Sequence, residues 1–499
     1  MKPSPAILGA LILCGAIGPL AACEGSRPVV IVSGGSGGSG GDGVGAGTGG
    51  AGGAAGAPGV VARVLVGDRD ADRLLLHDRE GTVLRDLRPG LDLGADATGI
   101  VLAVDQQMLP WSEGTAVDGT NLLRDLRARP VRRARSHIVA LGHVAAGGAG
   151  NGGAAVDRVR IVTTAGDRFA ALDVPGPSDD VGLSWQRRFL FVSRLPASAP
   201  PESRDGTVIR LADGQVVWQR AALDSAAFAP DDSHLLSTST TGEAQMTDLA
   251  TGGSAPAAAG QRGSLHGVAA TGGIFGILQY RGTLMEGLAL FFLDWSGRSS
   301  RFDPNLPPPY GWDTLSLVLD EGQRIVWARG SRSFGAVDPT GFFEFDVRSR
   351  TGRKIVPEPR LECLEAPAGF YYQLQDASLL RCPCATGSCV EIAAVPPVPE
   401  PRFAWSRILR SFSGERFAAL MPQWLSSAVP MGTPPDILFY DADGRLRAQV
   451  PAGELQLDAA AGLAVVRSQG EDNTFRIVDL ETSRVTAGTA RGFAAIVYE

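Results

Sequence analysis

Ser225-Ala226-Ala227-Phe228-Ala229-Pro230-Asp231-Asp232 runs into His234-Leu235-Leu236-Ser237, turns at Thr241-Gly242, continues as Met246-Thr247-Asp248 and turns again at Gly252. The apolar residues come in short runs with the period-two spacing of strands, and turn residues separate the runs. An aspartate bonds its own backbone two residues on, and glycine takes positive φ without steric cost. Aspartate shortly before glycine is therefore a tight link between two strands. The stretch reads as one small antiparallel sheet.

The unit recurs. Leu74-Leu75-Leu76-His77-Asp78 precedes Gly81, and Val208-Ile209-Arg210-Leu211-Ala212-Asp213 precedes Gly214. Leu290-Phe291-Phe292-Leu293-Asp294 precedes Gly297, Phe342-Phe343-Glu344-Phe345-Asp346 precedes Gly352, and Ile437-Leu438-Phe439-Tyr440-Asp441 precedes Gly444. Near the end, Leu463-Ala464-Val465-Val466 leads through Gly470 to Phe475-Arg476-Ile477-Val478-Asp479. With Leu379-Leu380-Arg381-Cys382 filling the gap between Asp346 and Asp441, eight units are legible. Residues 98–175 carry strands such as Ile100–Val104 and Val159–Val162, with room for up to two degenerate units. Each unit buries its faces only against its neighbours, so a stable body needs a series of them.

Over most of residues 60–499 the pattern resembles the bacterial β-propeller repeats of the WD40 and quinoprotein-like type. In those, four antiparallel strands form a blade and the aspartate-to-glycine turn joins its third and fourth strands. The resemblance implies an all-β fold of eight to ten four-stranded blades. Eight is the expected number, because propellers typically have about four to eight. The first unit begins at a second strand, Ala62–Val66, and the chain ends on the apolar run Phe493–Tyr498. The C-terminal strand is expected to complete the first blade, which removes two exposed edges at once. A two-domain β-sandwich is the alternative architecture. The Trp-Asp dipeptide of WD40 proteins is missing from the strand ends, since Trp312-Asp313 precedes a strand. Trp218, after the Gly214 turn, matches the quinoprotein-like habit, so the fold carries over but no site residues do.

The N-terminus resembles a bacterial lipoprotein signal. Lys2 supplies the positive start, Ala6 to Ile17 the apolar run, and Leu20-Ala21-Ala22-Cys23 the small residues before a cysteine. The resemblance implies removal of residues 1–22 and acylation of Cys23. The exported chain is then lipid-anchored at the cell envelope, and its membrane partner is reached through Cys23. Glu24, in place of an aspartate, favours the outer membrane. Cys14 follows the bulky Leu13 and is the poorer acylation site. A plain cleaved secretory signal is one competing reading, and an uncleaved helix over Pro5–Ala22, which approaches a span of ~20 residues, is the other. Residues 23–59 form a tether: from Gly34 to Gly59, fifteen of twenty-six residues are glycine. Such a segment buries too little apolar surface to offset its ordering entropy. As a Gly-rich coil it reaches roughly 30–36 Å. Residues 60–499 are the folded domain.

With 46 basic against 53 acidic residues, a net charge of −7, and a membrane address, the chain is a poor nucleic-acid binder. The densest basic stretch, Arg124, Arg127, Arg129, Arg132, Arg133 and Arg135, reads as a solvated strand face or loop. Only Lys2 and Lys354 are lysine, against 44 arginines, a skew that with abundant Ala and Gly suits a GC-rich genome. Gly34-Gly35-Ser36-Gly37-Gly38 and Gly45-Ala46-Gly47-Thr48-Gly49-Gly50 match a hydrolase elbow and a dinucleotide loop, but both need a strand-to-helix turn that the tether lacks.

Four cysteines remain in the folded domain, Cys363, Cys382, Cys384 and Cys389. In an exported chain these read as two disulfides. A hairpin sets Cys384 opposite Cys389 and leaves Cys363 for Cys382. On the first and third strands of one blade, that second pair is about 9–10 Å apart, beyond the ~7 Å limit, so the connectivity stays open. A zinc site lacks paired C-x-x-C spacing. His77, His137, His143, His234 and His266 form no metal motif, and Asp68, Asp70 and Asp72 lack the glycine and glutamate of a calcium loop. No metal, cofactor or catalytic residue is assigned. The function expected is a non-enzymatic module or scaffold that binds an envelope protein or peptide on rigidly held loops. The alternative is an extracellular propeller hydrolase or lyase acting on glycans or lactones.

Overall fold

The computed structural model describes residues 60–109, 111, 134–144, 155–194, 204–257, 264–270, 273–279, 289–297, 299–301, 312–319, 325–332, 341–346, 349, 351–354, 370–375, 377–384, 387–398, 403–405, 416–424, 435–459, 461–468 and 473–499. Among them one helical turn, Arg88–Leu91, interrupts an otherwise all-β chain. Among the described residues every strand pairing is antiparallel, and most pairs join strands consecutive in the chain. The first sheet places Val83–Asp86, Arg73–His77 and Ala62–Asp68 beside the C-terminal strand Gly492–Tyr498. That last pairing runs in register from Ala62 with Tyr498 to Asp68 with Gly492.

The second sheet holds Gln107–Leu109, Ala97–Val104, His137–Val144, Val156–Thr163 and Arg168–Pro175. The two degenerate units expected at most between residues 98 and 175 are thus one five-stranded sheet, because Gln107–Leu109 folds back on Ala97–Val104 after Asp105 turns at φ +52. Next comes a seven-stranded sheet, from Asp180–Leu183 through Phe189–Arg194, Arg204–Arg210, Val216–Phe228, His234–Ser239 and Ala244–Asp248 to Ser254–Pro256. Its long strand Val216–Phe228 serves two units. The first half pairs with Arg204–Arg210 and the second with His234–Ser239, and the register breaks beside Ala222, at φ +52.

Two four-stranded meanders follow, Ser264–Ala270 to Ser299–Arg301 and Trp312–Leu319 to Thr351–Lys354. Then come Phe370–Gln375, Ser378–Pro383 and Val390–Ala394 as one sheet. Phe403–Trp405 pairs with Pro422–Trp424, next to the sheet of Phe417–Leu420, Ile437–Asp441 and Leu446–Val450. Glu454–Asp458, Leu463–Arg467, Thr474–Asp479 and Arg484–Thr489 complete the series.

The aspartate turns work as their chemistry requires. Asp78 accepts the Thr82 amide, Asp213 that of Gln215, Asp248 those of Ala250 and Thr251, and Asp294 that of Ser296. Asp346 accepts from Ser349, Asp441 from Asp443 and Asp479 from Glu481. Gly81, Gly214, Gly297 and Gly444 take the positive φ that follows.

The core lies between sheets. On Ala62–Asp68 the side chains alternate: Leu65 packs with Leu102, Ile138 and Val162 of the second sheet, whereas Val64 and Val66 pack with Leu463, Val465 and Ile477 of the last. The same alternation joins Val139 and Ile161 to Val181 and Leu190, and Phe191 and Trp218 to Phe228 and Leu235. Phe439 and Val450 likewise meet Leu457 and Val466. Strands buried on both faces read as continuous apolar runs, and outer strands such as Arg168–Pro175 are largely exposed.

Arginines fasten neighbouring sheets through backbone carbonyls. Arg85 reaches Thr164 O, Arg187 reaches Arg135 O, Arg381 reaches Ala442 O, Arg447 reaches Leu480 O and Glu481 O, and Arg467 reaches Gly492 O. A planar guanidinium with five donors suits such multi-point ties better than an ammonium. The shortage of lysine thus has a structural use as well as a compositional origin.

A disulfide joins Cys382 to Cys389, with Cα atoms 4.1 Å apart. This differs from the hairpin pairing of Cys384 with Cys389. Arg381 is registered with Val390, so one step along the antiparallel ladder sets Cys382 opposite Cys389. Cys384 is also disulfide-bonded. Cys363 lies outside the described residues, as do Cys23, the tether and Arg124 to Arg133.

Candidate functional site: a groove where three sheet units meet

Backbone hydrogen bonds gather several strand ends at one end of the molecule. Ser136 N donates to Tyr498 O, Asp105 N to His137 O, and Leu183 N to Asp105 O. From the next unit, buried Asp232 reaches back: its carboxylate accepts Ser184 Oγ at 2.5 Å and Gln186 N at 3.1 Å. Burial pushes the Asp232 carboxyl up from its ordinary range, against these bonds, which pull it down. The turn at residues 184–188 is thereby held by a group from another sheet unit.

Between these turns opens a groove of about 900 Å³. The outer strand of the second sheet supplies Phe169 and Ala170, and the 184–188 turn supplies Arg187 and Arg188. Arg210 and Leu211 come from the Asp213 turn, Asp231 and His234 from the following unit, and Asp248 and Ala250 from its aspartate turn. Phe169 is 44% exposed, an unusual position for a phenylalanine. The His137 ring stands nearly perpendicular to it, with the two ring centres 4.7 Å apart. His234 stacks on Trp295, and its Nδ1 lies 2.8 Å from Ser233 Oγ.

Behind the groove Arg187 Nε donates to Asp105 Oδ1 at 3.3 Å, and His137 Nδ1 lies 3.8 Å from that same oxygen. A third of the Asp105 side chain stays exposed. Even so, desolvation by the surrounding turns outweighs Arg187 and pushes its carboxyl up to about 6. Burial, helped by the Arg187 charge, pushes His137 down to about 4. Opposite displacements of an acid and a base in contact leave both neutral near pH 5.

At the other end of the second sheet His143 Nδ1 lies 2.6 Å from Asp157 Oδ1. Asp157 is fully buried and its other oxygen accepts Ser178 N at 2.6 Å, so the pair pins the connection at residues 176–178. His77 Nδ1 lies 3.0 Å from Gly81 O in its own turn, and His266 lies on a strand with its side chain outside the described set. Asp68, Asp70 and Asp72 diverge: Asp68 accepts Ala71 N, Asp70 faces Arg491, and Asp72 pairs with Arg88. Among the described residues no three His, Cys, Asp or Glu side chains cluster as metal ligands. Trp218 is buried between two sheet units. None of the groove residues was singled out by sequence as a binding residue. Their positions span 169 to 250, and no local motif links them.

No protein-family model and no curated protein matches the chain. Among solved structures it is similar to the β-propeller domain of the Trilobed protease from Pyrococcus furiosus, at 8% identity over 63% of this chain and 94% of that one, TM-score 0.29. It is also similar to oligogalacturonate lyase from Vibrio parahaemolyticus, at 11% identity over 62% of this chain and 76% of that one, TM-score 0.32. The tricorn protease is a third, at 11% identity over 85% of this chain and 42% of that one, TM-score 0.33.

Proposed function

We propose that this chain is a membrane-tethered β-propeller whose groove binds a peptide or an extended protein segment at the cell envelope. In this reading the seven-stranded sheet counts as two blades, and the strands from Phe403 to Val450 count as one. Counted this way the described residues hold nine blades, one more than the eight expected. The ring closes where Gly492–Tyr498 pairs with Ala62–Asp68, and the core shared by the last and first sheets supports that closure.

The observation that carries the binding reading is the groove itself. It is large enough for several residues of an extended ligand, mixes an exposed aromatic with paired charges, and rests on turns fixed by hydrogen bonds from neighbouring units. Such preorganised loops lose little freedom on binding. Val61 exchanges backbone hydrogen bonds with Glu499, and the neighbouring Tyr498 O accepts Ser136 N beside the turns that frame the groove. With Cys23 acylated, the groove would sample partners within the reach of the tether from the same membrane.

A photo-crosslinking side chain at position 169 tests the site. Crosslinks to a bound peptide should concentrate there, well above the yield from the same group at Leu446, another exposed apolar position. Equal yields contradict the assignment. In the same preparation, Cys23→Ala should move the protein out of the membrane fraction, and unchanged retention with intact lipid label defeats the anchor.

A further inference from the structure

We infer that the end of the molecule where the aspartate turns gather docks on a phospholipid surface, through a row of apolar side chains repeated by the outer strands. The inference rests on the anchor reading above and adds a second, non-covalent contact with the same membrane.

Of the nine large apolar side chains left exposed among the described residues, eight stand at this one end. Strand position explains six of them. Val83, Phe169, Val216, Val390, Leu446 and Val485 each occupy the first or second place in the last strand of a unit, just past the turn that enters it. Leu84 follows Val83, and Val61 lies at the start of the fold. Their exposures run from 41% at Val485 to 58% at Val390. The ninth, Val156, is at the opposite end, registered with Val144 and Pro175.

Contacts between units bring these turns together. Thr486 Oγ1 donates to Glu80 O, which joins the last unit's turn to the first, and Arg85 ties the first unit to Thr164 O. Arg187 reaches Asp105, whose N–H donates to His137 O, and Leu211 N donates to Arg188 O. In the other direction, Arg447, next to Leu446, reaches Leu480 O. Arg381, registered with Val390, reaches Ala442 O.

The start of the fold selects a lipid surface as the occupant. Val61 exchanges backbone hydrogen bonds with Glu499, and the adjoining Tyr498 O accepts Thr164 Oγ1. Residues 23–59 therefore join the fold at this end. Read as a Gly-rich coil they reach roughly 30–36 Å. With Cys23 acylated, a contact that is weak in solution becomes an intramolecular one. Half-exposed apolar side chains among polar turns suit shallow burial at the headgroup boundary, where the turns stay hydrated. Charge is not the driver: Arg445 and Arg484 stand beside Leu446 and Val485, but Asp443 and Glu481 occupy the same turns. Phe169 belongs to the row and to the groove, so docking brings the groove to the lipid and favours ligands lying at the bilayer surface.

The test places a photoreactive side chain at position 446, 485 or 156 of the acylated chain on phosphatidylcholine vesicles, with phosphatidylglycerol vesicles in parallel. Labelling of lipid should be several-fold higher from 446 and 485 than from 156, and similar on the two lipids. A second measurement needs no anchor. In the mature Cys23→Ala chain, Leu446→Asp with Val485→Asp should weaken the residual partitioning to vesicles by ~10-fold or more. Both side chains are exposed, so the fold is not at stake. Equal lipid labelling from all three positions overturns the docking and leaves the anchor standing. Labelling of a second copy in place of lipid overturns it as well and assigns the row to self-association. Labelling confined to phosphatidylglycerol overturns the apolar contact in favour of charge attraction. A chain without an acyl group at Cys23 sinks the anchor reading, and the paired substitution then decides the docking by itself.

Discussion

Asp105 and His137 show how two neighbouring groups shape stability in opposite directions. The Asp105 carboxyl stands at about 6 in the folded protein against 3.8 for the ordinary group. The folded state therefore binds the extra proton between those values, and stability from this group falls as pH rises through that window. His137 stands at about 4 against 6.5, so the unfolded state takes the proton first and stability from it rises with pH. In the native chain the two slopes largely offset each other. Asp105→Asn removes the first and leaves the second. Its unfolding free energy, measured by urea titration, should climb more steeply than that of the parent between about pH 4 and about pH 6. Parallel curves for the two proteins show that Asp105 does not hold its proton as described. The residue arithmetic of the turns was readable in advance, because an aspartate and the amide two residues on lie in the same local stretch of chain. The pairing of Asp105 with Arg187 was not, because it joins two units 82 positions apart.

At the scale of the element, the informative contacts are those that leave one sheet for the next. Arg447 donates from its own sheet to Leu480 O and Glu481 O of the last one. Arg447→Lys keeps the charge but cannot serve both carbonyls, and should lower stability by about 1–2 kcal/mol. Thermal or urea unfolding measures this, and a loss no larger than that of Arg484→Lys contradicts the tie. Element assignment from sequence succeeded wherever an aspartate marked the turn. It failed for the second sheet, whose last two strands, Val156–Thr163 and Arg168–Pro175, are joined through Thr163, Gly166 and Asp167. There Gly166 supplies φ +88, but no aspartate precedes it. The turn is equally tight, and the usual signal is missing. The bend in Val216–Phe228 hid a second boundary, because one unbroken strand serves two units. The disulfide followed the same logic: a hairpin pairing looked natural from spacing alone, whereas ladder register chose Cys382 for Cys389.

For the whole molecule, a series of small sheets gains a site only where neighbours are held in fixed relation. The groove draws on three consecutive units, so no local motif announces it, and a shift of one unit against the next would dismantle it. The fold was legible because period-two runs and turn residues repeat along the chain. The site was hidden because it arises between repeats. The whole account depends on the two ends of the domain meeting, Ala62–Asp68 against Gly492–Tyr498, so that the series becomes a ring. Hydrogen–deuterium exchange of the native chain tests this directly. Amides of residues 62–68 and 492–498 should be protected as strongly as those of the interior strands Glu454–Asp458 and Leu463–Arg467. Fast exchange at both ends, with the interior strands protected, would mean the series stays open and the wheel-like reading is wrong.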